Sequence, residues 1–152
     1  MWPELRQETT LQLNLLRTAF KSFGPLVKEM ETREPTPVEL AAPGGFLHSL
    51  YTGMENIFKR VAIAVDGHVP RGEDWHQALL TAMAEPNRRR PPVISHSLKA
   101  GPYAYLKLRH VFRQGYRHQL KWDRMSPLVR EAEVTFRRFR KELNAFLTAI
   151  KA

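Results

Sequence analysis

Apolar residues recur along this chain in steps of three and four. Leu13, Leu16, Phe20, Phe23 and Val27 form one such series, and Leu47, Leu50, Met54, Ile57, Val61 and Val65 a second. The longest series, Val129, Ala132, Phe136, Phe139, Leu143, Phe146 and Ile150, runs over about six turns. Each series puts a band of apolar side chains on one face of a helix, with polar residues on the other. No segment alternates apolar and polar residues between hairpin turn signals, so strands are not expected.

Proline and glycine divide these segments. Gly24-Pro25 is expected to kink or end the first helix, because proline lacks the amide hydrogen a helix interior needs. Pro35, Pro37 and Pro43-Gly44-Gly45 read as a loop before the second helix, and Asp66-Gly67 through Gly72 as its end. A short helix is expected from about Trp75 to Ala84. Pro86 with Arg88-Arg89-Arg90-Pro91-Pro92 reads as a basic extended loop, since proline bars its predecessor from helical geometry. Gly101-Pro102 would open or interrupt the next helix, which runs to about Tyr116, and Ser126-Pro127 reads as N-cap and first residue of the last. The expected fold is all-α: an up-and-down bundle of four long helices and one short one, forming a single domain over residues 1–152.

Composition narrows the function. The 152 residues contain no cysteine, which excludes disulfides, cysteine-ligated zinc and thiol catalysis. No apolar run approaches the roughly 18 residues of a membrane span, and the first residues do not resemble a signal peptide. A cytoplasmic domain with no membrane association is therefore expected. The formal charge of +9 is unevenly spread: Pro86–Lys141 holds 15 basic and 3 acidic residues, a net of +12, and the rest of the chain nets −3. Clustered Lys and Arg of this kind suit a polyanion, although a solvated surface would also account for them.

Several chemistries lack their residues. His48, His68, His76, His96, His110 and His118 include no HExxH pair and no accompanying acidic cluster, so neither a metal nor a cofactor is expected. Gly44-Gly45 lacks the GxxxxGK setting of a phosphate loop, and no nucleophile elbow is present. Trp75 and Trp122 read as packing anchors, and His76 as a capping or packing residue. The densest polar segment is Leu108 to His118. Helical spacing gathers Arg109, Phe112, Arg113 and Tyr116 on one face and His110, Arg113, Gln114 and Arg117 on an adjoining stripe. Arginine, histidine and tyrosine together suit phosphate contact and base stacking, and histidine titrates in the range RNA cleavage needs.

Arg109-His110-Val111-Phe112-Arg113-Gln114-Gly115-Tyr116 resembles the RX4HXY motif of the HEPN superfamily, in particular of HepT-like proteins. Arg109 matches the motif arginine, Tyr116 its tyrosine, and His110 the polar residue that follows the arginine. Leu50 to Glu55, Gly72 to Leu80, Arg90-Pro91-Pro92 and Leu120 to Asp123 are also similar to segments of one HepT-like branch. The resemblance implies a helical homodimer acting as a metal-independent endoribonuclease toxin. Its partner would be an MntA-like nucleotidyltransferase antitoxin that attaches AMP to the motif tyrosine, here Tyr116.

One position departs from the motif: Gln114 stands where the histidine belongs. Glutamine can hydrogen-bond a phosphate but cannot shuttle protons near neutral pH. An enzyme reading therefore gives Arg109 the phosphate, His110 the proton transfer or the ordering of the site, Gln114 a hydrogen bond to phosphate or ribose, and Tyr116 the RNA and the AMP. Arg113, Arg117, His118, Arg88, Arg89 and Arg90 would line the RNA. A register built on Arg113 and His118 has Leu120 in place of the tyrosine and fits less well. A second reading is a catalytically weakened module that binds RNA or the nucleotidyltransferase. A third is a helical adaptor whose basic surface meets an acidic protein.

Overall fold

The computed structural model describes residues 2–113 and 121–150. Five helices account for most of them: α1 (Pro3–Met30), α2 (Ala41–Val61), α3 (Trp75–Met83), α4 (His96–Arg113) and α5 (Trp122–Ala149). The architecture is an all-α bundle with no strand among the described residues.

The centre of the bundle follows from the sequence of α2. Phe46, Leu47, Leu50, Tyr51, Met54, Ile57, Phe58 and Val61 are all buried, and they span far more than one helical stripe. A helix apolar on most sides must be surrounded. It packs against α1, α3, α4 and α5. Leu13 and Leu16 of α1 and the series Val129, Ala132, Phe136, Phe139, Leu143 and Phe146 of α5 join the same core, with Phe20, Phe23, Val27 and Ile150 packed partly buried against it. The apolar periodicity thus picks out the buried faces. Trp75 and Trp122 also pack partly buried against the core.

Proline lies inside the helices, past their first residues, in four places, three of which differ from expectation, while at Pro25 only the ending of the helix is excluded. Pro25 lies inside α1, which continues to Met30. The residue before it is Gly24, which has no Cβ for the proline ring to strike. Pro43-Gly44-Gly45 lies within α2 rather than before it. Pro43 sits in the first turn, where the amide has no helical acceptor in any case. α4 starts at His96, ahead of Gly101-Pro102, because Ser95 caps it: its hydroxyl accepts the Leu98 amide at 3.0 Å. α5 starts at Trp122, so Ser126 and Pro127 are in its second turn and Ser126 is buried.

The helical run that begins with α2 ends as expected at Asp66-Gly67. One π-helical turn, Ala62–Asp66, follows α2, and Gly67 closes it with φ of 84°, a left-handed conformation natural to glycine. Several side-chain contacts tie α5: Arg6 donates to the Leu147 carbonyl, Glu142 accepts from the Ser95 hydroxyl at 3.1 Å, and Arg138 donates to the Ser97 hydroxyl at 2.9 Å.

Candidate functional site

The site grows from a charge in the wrong place for a core helix. Glu55 lies on α2 between Met54 and Ile57, and its side chain is only 3% exposed. A carboxylate removed from water needs cationic or hydrogen-bonding partners. They come from two other helices. His76, in the first turn of α3, places Nδ1 2.6 Å from Glu55 Oε2. Arg109, on α4, places Nη1 3.5 Å from Glu55 Oε1 and 3.0 Å from His76 Nδ1. Two lone pairs would repel at 2.6 Å, so a proton lies between Glu55 Oε2 and His76 Nδ1, and Arg109 Nη1 approaches the same nitrogen. Nε2 of His76 has no hydrogen-bond partner among the described residues.

Arg109 therefore turns inward, with a side chain only 11% exposed. Its guanidinium carbon lies 5.7 Å from the Tyr51 ring centroid, one helical turn before Glu55. Its Nε is buried with no hydrogen-bond partner among the described residues. The Tyr51 phenol is pushed far up, first by burial and then by the Glu55 carboxylate, so it stays protonated. Trp75 stacks on His76 with ring centroids 3.7 Å apart, and Lys59 lies 4.7 Å above Trp75.

His76 opens to solvent on one side. It lines a cavity of about 230 Å³ between the start of α3 and α4, together with His110, Tyr103, Lys107, Glu73 and Asp74. His110 itself is exposed. A larger cavity of about 490 Å³ lies between α1 and α5 over Phe20, Phe23, Phe46 and Phe136, and none of the sequence-predicted site residues lines it.

Arg109 and His110 are thus placed at one site, Arg109 behind His76 and His110 beside it in the cavity wall. The side chain of Arg113, and Gln114, Tyr116, Arg117 and His118 entirely, lie outside the described residues. The arginine triplet divides. Arg88 and Arg89 are exposed, Arg89 donating to the Val65 and Asp66 carbonyls at 3.3 and 3.4 Å. Arg90, expected to line RNA, is instead a structural residue. Its side chain is 1% exposed and donates to both carboxylate oxygens of Asp66, at 2.7 and 2.9 Å, and to the carbonyls of Ala82, Glu85 and Pro91. Nor is the triplet an extended loop. Asn87 and Arg90 exchange backbone hydrogen bonds in a tight turn, and the Asn87 side chain accepts the Arg89 and Arg90 amides. Burial raises the Asp66 carboxyl, but Arg90 and Asn87 outweigh it and hold the group below the usual aspartate range.

Sequence reasoning missed Glu55 and treated His76 as packing. One signal for Glu55 was present: a carboxylate at i+4 from Tyr51 inside an otherwise apolar face. The HepT-like protein family matches residues 42–150, well over half of the chain. The chain belongs to the HepT-like family. Tyr51, Glu55, His76 and Arg109 all fall within the matched span, and the helical bundle is the HEPN-type fold that the family implies. The chain matches no curated protein and no solved structure. No helix among the described residues is long and apolar enough to cross a membrane.

Proposed function

We propose that this HepT-like protein is the toxin of a toxin–antitoxin pair: a cytoplasmic, metal-independent endoribonuclease that works as a homodimer. The observation that carries the reading is Arg109, a motif arginine held nearly buried with an unpartnered Nε, beside a cavity walled by two histidines. A buried donor without an acceptor favours an incoming anion, and a phosphate oxygen satisfies it. The net +12 of Pro86–Lys141 adds a long-range attraction for RNA. Arg113, Arg117, His118, Arg88 and Arg89 extend the backbone contact.

In this reaction the ribose 2′-oxygen attacks the adjacent phosphorus as its proton leaves. The bond from phosphorus to the 5′-oxygen breaks, and that oxygen takes up a proton. The products are a 2′,3′-cyclic phosphate and a 5′-hydroxyl. Arg109 neutralises the charge on the phosphorane, Gln114 hydrogen-bonds phosphate or ribose, and His110 transfers a proton. The antitoxin is an MntA-like nucleotidyltransferase that transfers AMP from ATP to the Tyr116 oxygen: the phenol oxygen bonds to the α-phosphorus, pyrophosphate leaves and the phenol proton goes to solvent. The added phosphate repels RNA from the cleft and fills it.

Gln114 favours a second reading, a dimer that binds RNA or the nucleotidyltransferase without cutting, because an amide carries no transferable proton. Co-expression with a small nucleotidyltransferase encoded beside this chain separates the two. The toxin reading expects a mass gain of one AMP on the peptide carrying Tyr116, and RNA cleavage that disappears in the modified protein. Cleavage by unmodified protein should fall about 10²- to 10³-fold in Arg109→Ala, the loss typical of one preorganised electrostatic donor. Salt-dependent RNA binding with intact RNA throughout would favour the second reading instead.

A further inference from the structure

We infer that His76, which lies outside the family motif, is the general base of this site and that Glu55 positions it; the inference rests on the ribonuclease reading. Three observations carry it. The 2.6 Å contact between Nδ1 and a carboxylate only 3% exposed orients the ring and turns Nε2 away from Glu55; with the shared proton on Nδ1, Nε2 is the nitrogen that accepts. A histidine oriented in this way by a buried carboxylate is the arrangement that lets imidazole accept a proton in a defined direction. The ring is 23% exposed and lines the 230 Å³ cavity, so a substrate hydroxyl can reach it. Arg109 Nη1 lies 3.0 Å from Nδ1 of the same imidazole, so the motif arginine contacts the ring whose Nε2 is the proposed base.

This arrangement supplies what Gln114 cannot. The 2′-hydroxyl gives its proton to Nε2 of His76, the 2′-oxygen bonds to phosphorus, and the bond to the 5′-oxygen breaks. The leaving oxygen takes its proton from the imidazolium of His110, the other imidazole of the cavity. His76 and His110 exchange their protons with water before the next turnover. The base is thus provided by α3 rather than by the motif helix, and the chain cuts RNA without a histidine at position 114.

The test compares wild-type protein, His76→Ala, His76→Gln, Glu55→Gln and Gln114→His in cleavage of a labelled RNA. RNA binding is followed by fluorescence anisotropy, and folding by thermal melting. Wild type is expected to cut. His76→Ala and His76→Gln should bind RNA as wild type does but cut about 10²- to 10⁴-fold more slowly, the usual loss of a general base. Added imidazole should restore cleavage to His76→Ala, which a structural role would not allow. Glu55→Gln should lower kcat with KM unchanged. Retention of wild-type cleavage by both folded His76 variants overturns the assignment and leaves the ribonuclease reading standing. Failure of imidazole to rescue a folded, RNA-binding His76→Ala also overturns it. Uncut RNA with wild type, with cleavage gained in Gln114→His, overturns both the assignment and the ribonuclease reading of the native chain.

Discussion

Arg90 and Arg109 show how little a charged residue's type says about its use. Both are nearly buried arginines in the basic part of the chain, yet their surroundings differ. Every polar edge of Arg90 is satisfied by Asp66 and three backbone carbonyls, so it has nothing to offer a ligand. Arg109 keeps a buried Nε without a partner among the described residues. The first is a staple between the end of α2 and the turn after α3, and the second is the residue on which the proposed site rests. Removing Asp66 leaves the Arg90 charge buried and unpaired, so Asp66→Ala should cost about 3–5 kcal/mol in a denaturant titration. The pH dependence has a fixed sign. The folded-state value of Asp66 is depressed, so its contribution is full above the ordinary aspartate value of about 3.9 and is lost as pH falls through the lower folded value. The stability gap between wild type and Asp66→Asn should therefore narrow in acid below about pH 4. A gap that widened there would contradict this reading of the pair.

At the scale of elements, the existence of the helices was legible, as were the end of the second helical run and the span of α3, but the ends read from proline were not. Apolar periodicity reports which face is buried, and burial decides whether a helix forms in a protein. Proline reports only where an amide is missing. Pro43 loses nothing in a first turn, and Pro102 and Pro127 lie in second turns whose helices are begun by Ser95 and Lys121. The site was legible in the same partial way. Arg109 and His110 stand in a recognisable local pattern. Glu55 and His76 meet Arg109 across 54 and 33 residues of chain, and no local spacing encodes that meeting. The position of α2 sets it. Gly53 lets α1 approach that helix closely: a Cβ there would lie 2.6 Å from Leu16 Cδ2 and 2.9 Å from its Cγ. Gly53→Ala must push the buried Leu16 side chain aside and should destabilise the fold by about 1–3 kcal/mol, read as a lowered thermal midpoint. An unchanged midpoint would show that the α1–α2 contact is looser than the structure has it.

At the scale of the molecule, the net positive charge and the inward arginine act at different ranges. On the proposed function, the +12 of the C-terminal part would attract RNA over a Debye length of about 8 Å at physiological salt, without regard to sequence. The Glu55–His76–Arg109 cluster acts only in contact. In the proposed reaction its buried carboxylate orients the imidazole, and the cavity beside α3 and α4 receives the ribose. On that proposal binding and cutting are separate properties, and a variant is expected to lose one and keep the other. The account stands or falls on whether the native chain, with glutamine at position 114, cuts RNA. Purified protein, freed of any nucleotidyltransferase and incubated with end-labelled RNA in excess chelator, is predicted to yield fragments with 2′,3′-cyclic phosphate and 5′-hydroxyl ends. RNA that stays intact under those conditions, while still bound by the protein, would contradict it.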